Sequence, residues 1–269
     1  MIEVNSYGLT LADGVSWEFT TTDSGLRPWL DQFAHILRLA ASASPPTRRL
    51  VARNADKISW TMCDNDIVCA FPAARLREPE FGVLMMQECL GRISDEAILA
   101  GALPFHAALL ERSGRGVLIA AAGSTGKSTC ARRAPAPWRA WSDDAALVVR
   151  GYQAHPFPTW MDHIWRRRDA TWPMQNHVAL SAIFFLEQSR EDAATRLGQG
   201  EAVVRILQSG RQSLGYFWDR LPGEQKRRVH TALLHNATAM SQSVPSLRLQ
   251  ATLHGRFWEK IEHALDQIS

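Results

Sequence analysis

Several signals that would narrow the chemistry of this chain are missing. Its four cysteines, Cys63, Cys69, Cys89 and Cys130, form no CxxC pair and match no zinc or haem spacing. The opening MIEVNSYGLTLADG has neither a basic start nor an apolar run, so it does not read as a signal peptide. No stretch approaches the length of a membrane span. A formal net charge of only +3 gives no electrostatic case for a nucleic-acid binder, and no base-stacking motif stands out. There is no internal repeat and no low-complexity tract. These absences predict a cytoplasmic protein with reduced thiols and neither membrane nor nucleic acid as partner.

Material for a packed core is plentiful. Hydrophobic residues make up 46% and charged residues 21% of 269, which suits one large domain or a small one joined to a larger. Basic residues cluster at Arg132-Arg133, Arg166-Arg167-Arg168 and Lys226-Arg227-Arg228. Solvated surface is the plain reading of such runs, and the first is the best placed to meet phosphate or an acidic substrate.

Element signals split the chain near residue 92. Before it stand a β-prone segment at Val15–Thr20 and a helical face carrying Leu30, Phe33, Ile36 and Leu37. Strand candidates at Lys57–Met62 and Asp66–Phe71 flank a turn at Cys63-Asp64-Asn65. Two helices follow, Phe81–Leu90 and Glu96–Ala102, the second with Ser94 as a cap. Beyond residue 92 the pattern changes. Phe105–Leu110 and Val117–Ala122 read as buried strands, a short helical stretch runs to Arg133, and Pro135 and Pro137 stop it. Ala145–Val149, Tyr152–Phe157 and Ala179–Leu186 are further strands, and the tail from Glu201 reads as helical. The expected organisation is a small N-terminal α+β domain over 1–92 and an α/β nucleotide-binding domain over 93–269.

One motif carries chemistry. Val117–Thr129 reads VLIAAAGSTGKST, close to G-x-x-x-x-G-K-[ST], with Ala121 in place of the first glycine. In such a loop the backbone N–H groups of Gly123, Ser124, Thr125, Gly126 and Thr129 curl around phosphate at the start of a helix. Lys127 reaches the β and γ oxygens, and the Ser128 hydroxyl is a hard oxygen suited to magnesium. The pattern thus predicts ATP with Mg2+ as ligand. The plain alternative is a glycine-rich turn between strand and helix. Asp143 and Asp144, in RAWSDDAALVV, supply two carboxylates before an apolar strand. One can hold the metal and the other deprotonate an attacking hydroxyl, although acidic pairs are also common in turns. His106, ahead of the strand that feeds the loop, is a lone histidine of the kind more often structural. Among the ten tryptophans, Trp138, Trp141, Trp160, Trp165 and Trp172 concentrate after the loop. Core packing is the first reading for them, and a peptide or adenine platform near Trp160 and Trp165 the second.

The order of histidine, GSTGKST, short helix, SDD and β-hairpin resembles the HPr kinase/phosphorylase family, whose nucleotide core is related to ATP-dependent phosphoenolpyruvate carboxykinase. The segments HPFPTW, LSAIFFLE and VPSLRLQATLHGRFWEKIE look closer still to HPr-kinase-like proteins of peptide-modification clusters, the lasso-peptide tailoring kinases and ScmC of the SynChlorMet cassette. The likeness covers roughly residues 100–268. It implies a P-loop core of HPr kinase/carboxykinase type that transfers a phosphoryl group from ATP to a peptide or small protein, serine or threonine first. By position it implies that Lys127 binds phosphates, that Ser128 and Asp144 serve the metal, and that Asp143 is the base. His106 takes the place of a histidine near the carboxykinase metal. HPr kinases assemble as hexamers, which leaves a homo-oligomer open. The charged LEIRG-type run of the bifunctional enzymes is absent, so phosphorylase activity and HPr itself are not expected. A non-catalytic nucleotide-binding partner and a nucleotide hydrolase or switch stand as alternatives.

Overall fold

A computed structural model describes residues 6–42, 45–160, 163 and 169–268. The chain is mixed α/β and divides into two compact units, 1–93 with 158–176 and 94–157 with 177–269. The return of 158–176 to the first unit is something a single boundary near residue 92 does not contain.

In the first unit, β1 (Tyr7–Thr10), β2 (Ser16–Thr21), β3 (Ala40–Ala41), β4 (Arg48–Asn54), β5 (Ser59–Cys63) and β6 (Asp66–Phe71) form one sheet in the order β3-β1-β2-β4-β6-β5. The β2-β4-β6 core of that sheet is parallel. Helix α1 (Arg27–Leu37) opens with a proline in its first turn and buries Leu30, Phe33, Ile36 and Leu37, as their spacing requires. It stops where Arg38 turns left-handed. Trp29 joins this core edge-on to Phe71, 5.0 Å between ring centres.

The two expected helices after residue 80 are one, α2 (Pro79–Leu99). Nothing between Leu90 and Glu96 breaks the backbone, and buried Leu90, Ile93, Ala97 and Ile98 continue a single helical stripe. Ser94 is therefore a buried interior residue rather than a cap.

The second unit holds β7 (Leu103–Phe105), β8 (Ala107–Arg112), β9 (Arg115–Ala120), β10 (Arg139–Ser142), β11 (Ala146–Val149), β12 (Gln153–Pro156), β13 (Val178–Gln188), β14 (Ala193–Arg196) and β15 (Ser246–Ala251). They share one sheet ordered β10-β8-β9-β13-β12-β11-β7, with β15 added to β13 and β14 to β15. The strands β9, β13 and β15 run parallel. The expected strand Phe105–Leu110 breaks at His106, so that β7 pairs with β11 while β8 pairs with β9 and β10. The tail is not wholly helical either, because β15 fills the sheet beside β13.

Alternation along these strands builds two cores. Leu109, Leu118 and Ile183 face α4 (Gln199–Arg220) and α5 (Gly223–Ser243) through Ile206 and Leu233. Leu110, Ile119 and Phe184 face the opposite side, where α6 (Phe257–Ile268) lays Phe257 and Ile261 beside Cys130 of α3 (Lys127–Arg133). The unit is thus three layers, with the end of β9 beside Phe185 of β13 and β13 running on past it to Gln188. No helix among the described residues is long and apolar enough to cross a membrane.

Candidate active site

The strand β9 is buried from Gly116 to Ala120, and the chain leaves the sheet at Ala121 and enters α3 at Lys127. The connecting loop needs left-handed backbone at two points, Ser124 with φ 62° and Gly126 with φ 120°. At Gly126 space is not the constraint, since a Cβ there would meet nothing nearer than Leu186 Cδ2 at 3.9 Å. The φ value is what demands glycine there. Among the described residues no protein acceptor is found for the backbone N–H groups of Gly123, Ser124 or Gly126. Those donors belong to an exposed or half-exposed segment.

Lys127, the first residue of α3, is only 4% exposed. Its Nζ donates back to the carbonyls of Ala121 at 3.2 Å and Ala122 at 3.4 Å and lies 3.4 Å from Asp144 Oδ1. Burial pulls the ammonium pKa below the ordinary lysine value, and the two neighbouring aspartates only partly offset it. Asp143 and Asp144 occupy the bend between β10 and β11. Burial pushes the Asp144 carboxyl upward, yet hydrogen bonding and charge from His106 and Lys127 hold it below the usual carboxylate range. The Ser128 hydroxyl reaches the main-chain carbonyl of Asp143 at 3.5 Å, which brings the helix start and the acidic bend together.

His106 completes this cluster from the break between β7 and β8. Its Nε2 lies 3.0 Å from Asp144 Oδ1. Its main-chain N–H is given to Ser209 of α4, at 3.1 Å from the hydroxyl, and not to a neighbouring strand. This explains why the strand is interrupted there. On the other side of the ring, Nδ1 faces Gln212 Oε1 at 3.4 Å. Ser209 and Gln212 sit on successive turns of α4, and no signal in the sequence linked them to His106. The structure therefore gathers Lys127, Ser128, Asp143, Asp144 and His106 at one end of the sheet. Thr129 lies inside α3, where its hydroxyl is 3.4 Å from an Arg132 guanidinium nitrogen.

Other candidates go elsewhere. Arg133 is not free for phosphate, because its guanidinium donates to the carbonyls of Thr252, at 3.1 Å, and Gly255 and lies over Phe257. Trp138 is buried and donates from Nε1 to Glu262 at 2.8 Å. Trp160 packs on Phe33 inside the first unit. Trp165 and Arg166–Arg168 lie outside the described residues. A cavity of about 1180 Å³ in the first unit, lined by Trp29, Gln32 and Arg77 among others, contains none of the clustered residues. Volume alone does not mark a site, and the convergent charges are in the second unit.

No group of three or more His, Cys, Asp or Glu side chains among the described residues could hold a metal. Magnesium bound together with a nucleotide takes only one or two protein oxygens and completes its octahedron with phosphate and water. Ser128 and Asp144 are oxygen donors of that kind. Residues 67–266 match the family model described as SynChlorMet cassette protein ScmC. The match begins within β6 and so extends further toward the N-terminus than the likeness read from the motifs. No curated protein matches the chain.

Proposed function

The chain belongs to the SynChlorMet cassette protein ScmC family, and on that footing we propose that it is a phosphotransferase with a P-loop core of HPr kinase type. It binds magnesium-ATP at Gly123–Ser128 and passes the γ-phosphoryl group to a hydroxyl of a peptide or small protein. The observation that carries the reading is Lys127, whose buried ammonium stands between the loop carbonyls and Asp144. A buried lysine at the start of the helix that follows a parallel strand, just after amide donors without protein acceptors, is arranged for an anion that exchanges places with its present contacts.

The residues divide the work as follows. Lys127 binds the β and γ oxygens, and the loop amides of Gly123, Ser124 and Gly126 receive the remaining phosphate charge. Ser128 and Asp144 hold magnesium, which when bound neutralises charge on the transferring group. Asp144 suits that task because His106 and Lys127 keep it anionic. Asp143, on the same bend, takes the proton from the acceptor hydroxyl. His106 orients Asp144 through their 3.0 Å contact. Acceptor and leaving oxygens need only be held in line, so positioning and charge supply most of the rate.

The test is calorimetric titration with magnesium-ATP, followed by mass spectrometry of candidate precursor peptides incubated with protein and ATP. Phosphorylated peptide is the expected product. Nucleotide binding with ATP hydrolysis that ignores every peptide would instead mark a hydrolase, and no nucleotide binding would remove the site altogether.

A further inference from the structure

The tip of β13 reaches the loop. Gln188, the last residue of that strand, donates its side-chain Nε2 hydrogen to the main-chain carbonyl of Thr125 at 3.2 Å. The bond crosses from the end of one parallel strand to the loop that leaves its neighbour.

Its effect follows from the geometry of a trans peptide. The C=O and N–H of one peptide unit point in opposite directions. Drawing the Thr125 oxygen toward Gln188 therefore turns the Gly126 N–H away from Gln188. That N–H is one of the amides without a protein acceptor among the described residues. The Thr125–Gly126 unit is also where rotation is least restrained, since Gly126 sits at φ 120° and glycine tolerates both signs of φ. A rotated unit would present a carbonyl oxygen where phosphate charge is to be received.

The donor itself is held in place. Glu187, the preceding residue, takes Arg205 of α4 at 2.7 Å and Arg248 of β15 at 3.2 Å. Gln188 is backbone-paired with Ala251. The strand tip is thus tied to two neighbouring elements, and the partner with rotational freedom is the Thr125–Gly126 peptide.

We propose that Gln188 is a positioning residue for the anion site, fixing the Thr125–Gly126 peptide so that the Gly126 N–H is available to phosphate. The inference rests on the nucleotide-binding reading above and assigns the site a residue that neither its motif nor its charge cluster contains.

The test uses the full chain with magnesium-ATP and inorganic pyrophosphate as separate probes. Gln188→Met keeps the length of the side chain and removes the donor, and Gln188→Glu replaces it with an acceptor. Both substitutions lie on an exposed side chain, so thermal unfolding of the free protein should stay near that of the parent. Affinity for both probes should fall by about tenfold, the scale of one well-placed hydrogen bond. In nitrogen-15 correlation spectra the Gly126 amide should shift when pyrophosphate is added to the parent and stay put in Gln188→Met. Parent-like affinity and an unchanged Gly126 shift in both variants would overturn the role of Gln188 while leaving the nucleotide site standing. A parent protein that binds neither probe would overturn the nucleotide reading, and this inference with it.

Discussion

The Nε2 atom of His106 stands 3.0 Å from Oδ1 of Asp144, and the same carboxylate oxygen is 3.4 Å from the Lys127 ammonium. One oxygen thus joins a break between strands, a bend between strands and the first residue of a helix. Asp144 is the shared partner, while His106 and Lys127 keep separate contacts of their own, which makes the individual replacements informative.

Lys127→Ala should abolish nucleotide binding and reduce peptide phosphorylation by ~100-fold or more, the scale for losing a charged donor to the transferring group. Because burial already disfavours the ammonium, the free protein should melt near the parent temperature. Transfer and thermal unfolding measured together check this, and retained transfer would take the loop out of the mechanism.

Asp143→Asn and Asp144→Asn should fail differently. With Asp143 as base, its asparagine variant should still bind magnesium-ATP while single-turnover transfer drops ~100-fold or more. Asp144→Asn should weaken magnesium-dependent binding, since asparagine keeps the shape and loses the charge. Calorimetry beside single-turnover kinetics separates the two, and the reverse pattern would exchange the assignments.

The free protein should also show Asp144 in its pH dependence. The folded carboxyl is held below its ordinary value, so the unfolded chain binds the proton more readily. Stability from this group is therefore present above the unfolded carboxyl range and lost as pH falls through the folded one. At neutral pH Asp144→Asn should cost about 1 kcal/mol, a modest figure because the side chain is partly exposed. The gap to the parent should close in strong acid. A difference in denaturant midpoint that persists unchanged to low pH would contradict the ion-pair account.

Gly255→Ala tests the support behind the loop helix. A Cβ at Gly255 would collide with the Asp192 carboxylate, which accepts the Thr252 N–H at 2.6 Å, and with the Thr252 hydroxyl. The Gly255 carbonyl is in turn an anchor for Arg133 of α3. Overpacking of this kind costs about 1–3 kcal/mol. Chemical denaturation should show that loss, and a parent-like midpoint would mean the turn accommodates the methyl group.

Local pattern determined much of this protein. The period of Leu30, Phe33, Ile36 and Leu37 specified α1, and the apolar runs around Gly151 specified β11 and β12, because helix and strand faces are written in neighbouring residues. The glycine and lysine of GSTGKST and the paired aspartates were likewise visible as candidates, since their chemistry is carried by residue type and short spacing. Tertiary structure alone decided the rest. That His106 interrupts its strand depends on Ser209, and the orientation of its ring on Gln212, both on a helix far along the chain. That Ser246–Ala251 is a strand depends on the open edge of β13, and that Gln188 meets Thr125 depends on β13 running past the end of its parallel neighbour β9. Such pairings obey no short period, because the partners are brought close by packing of the sheet and helices and not by their separation in sequence.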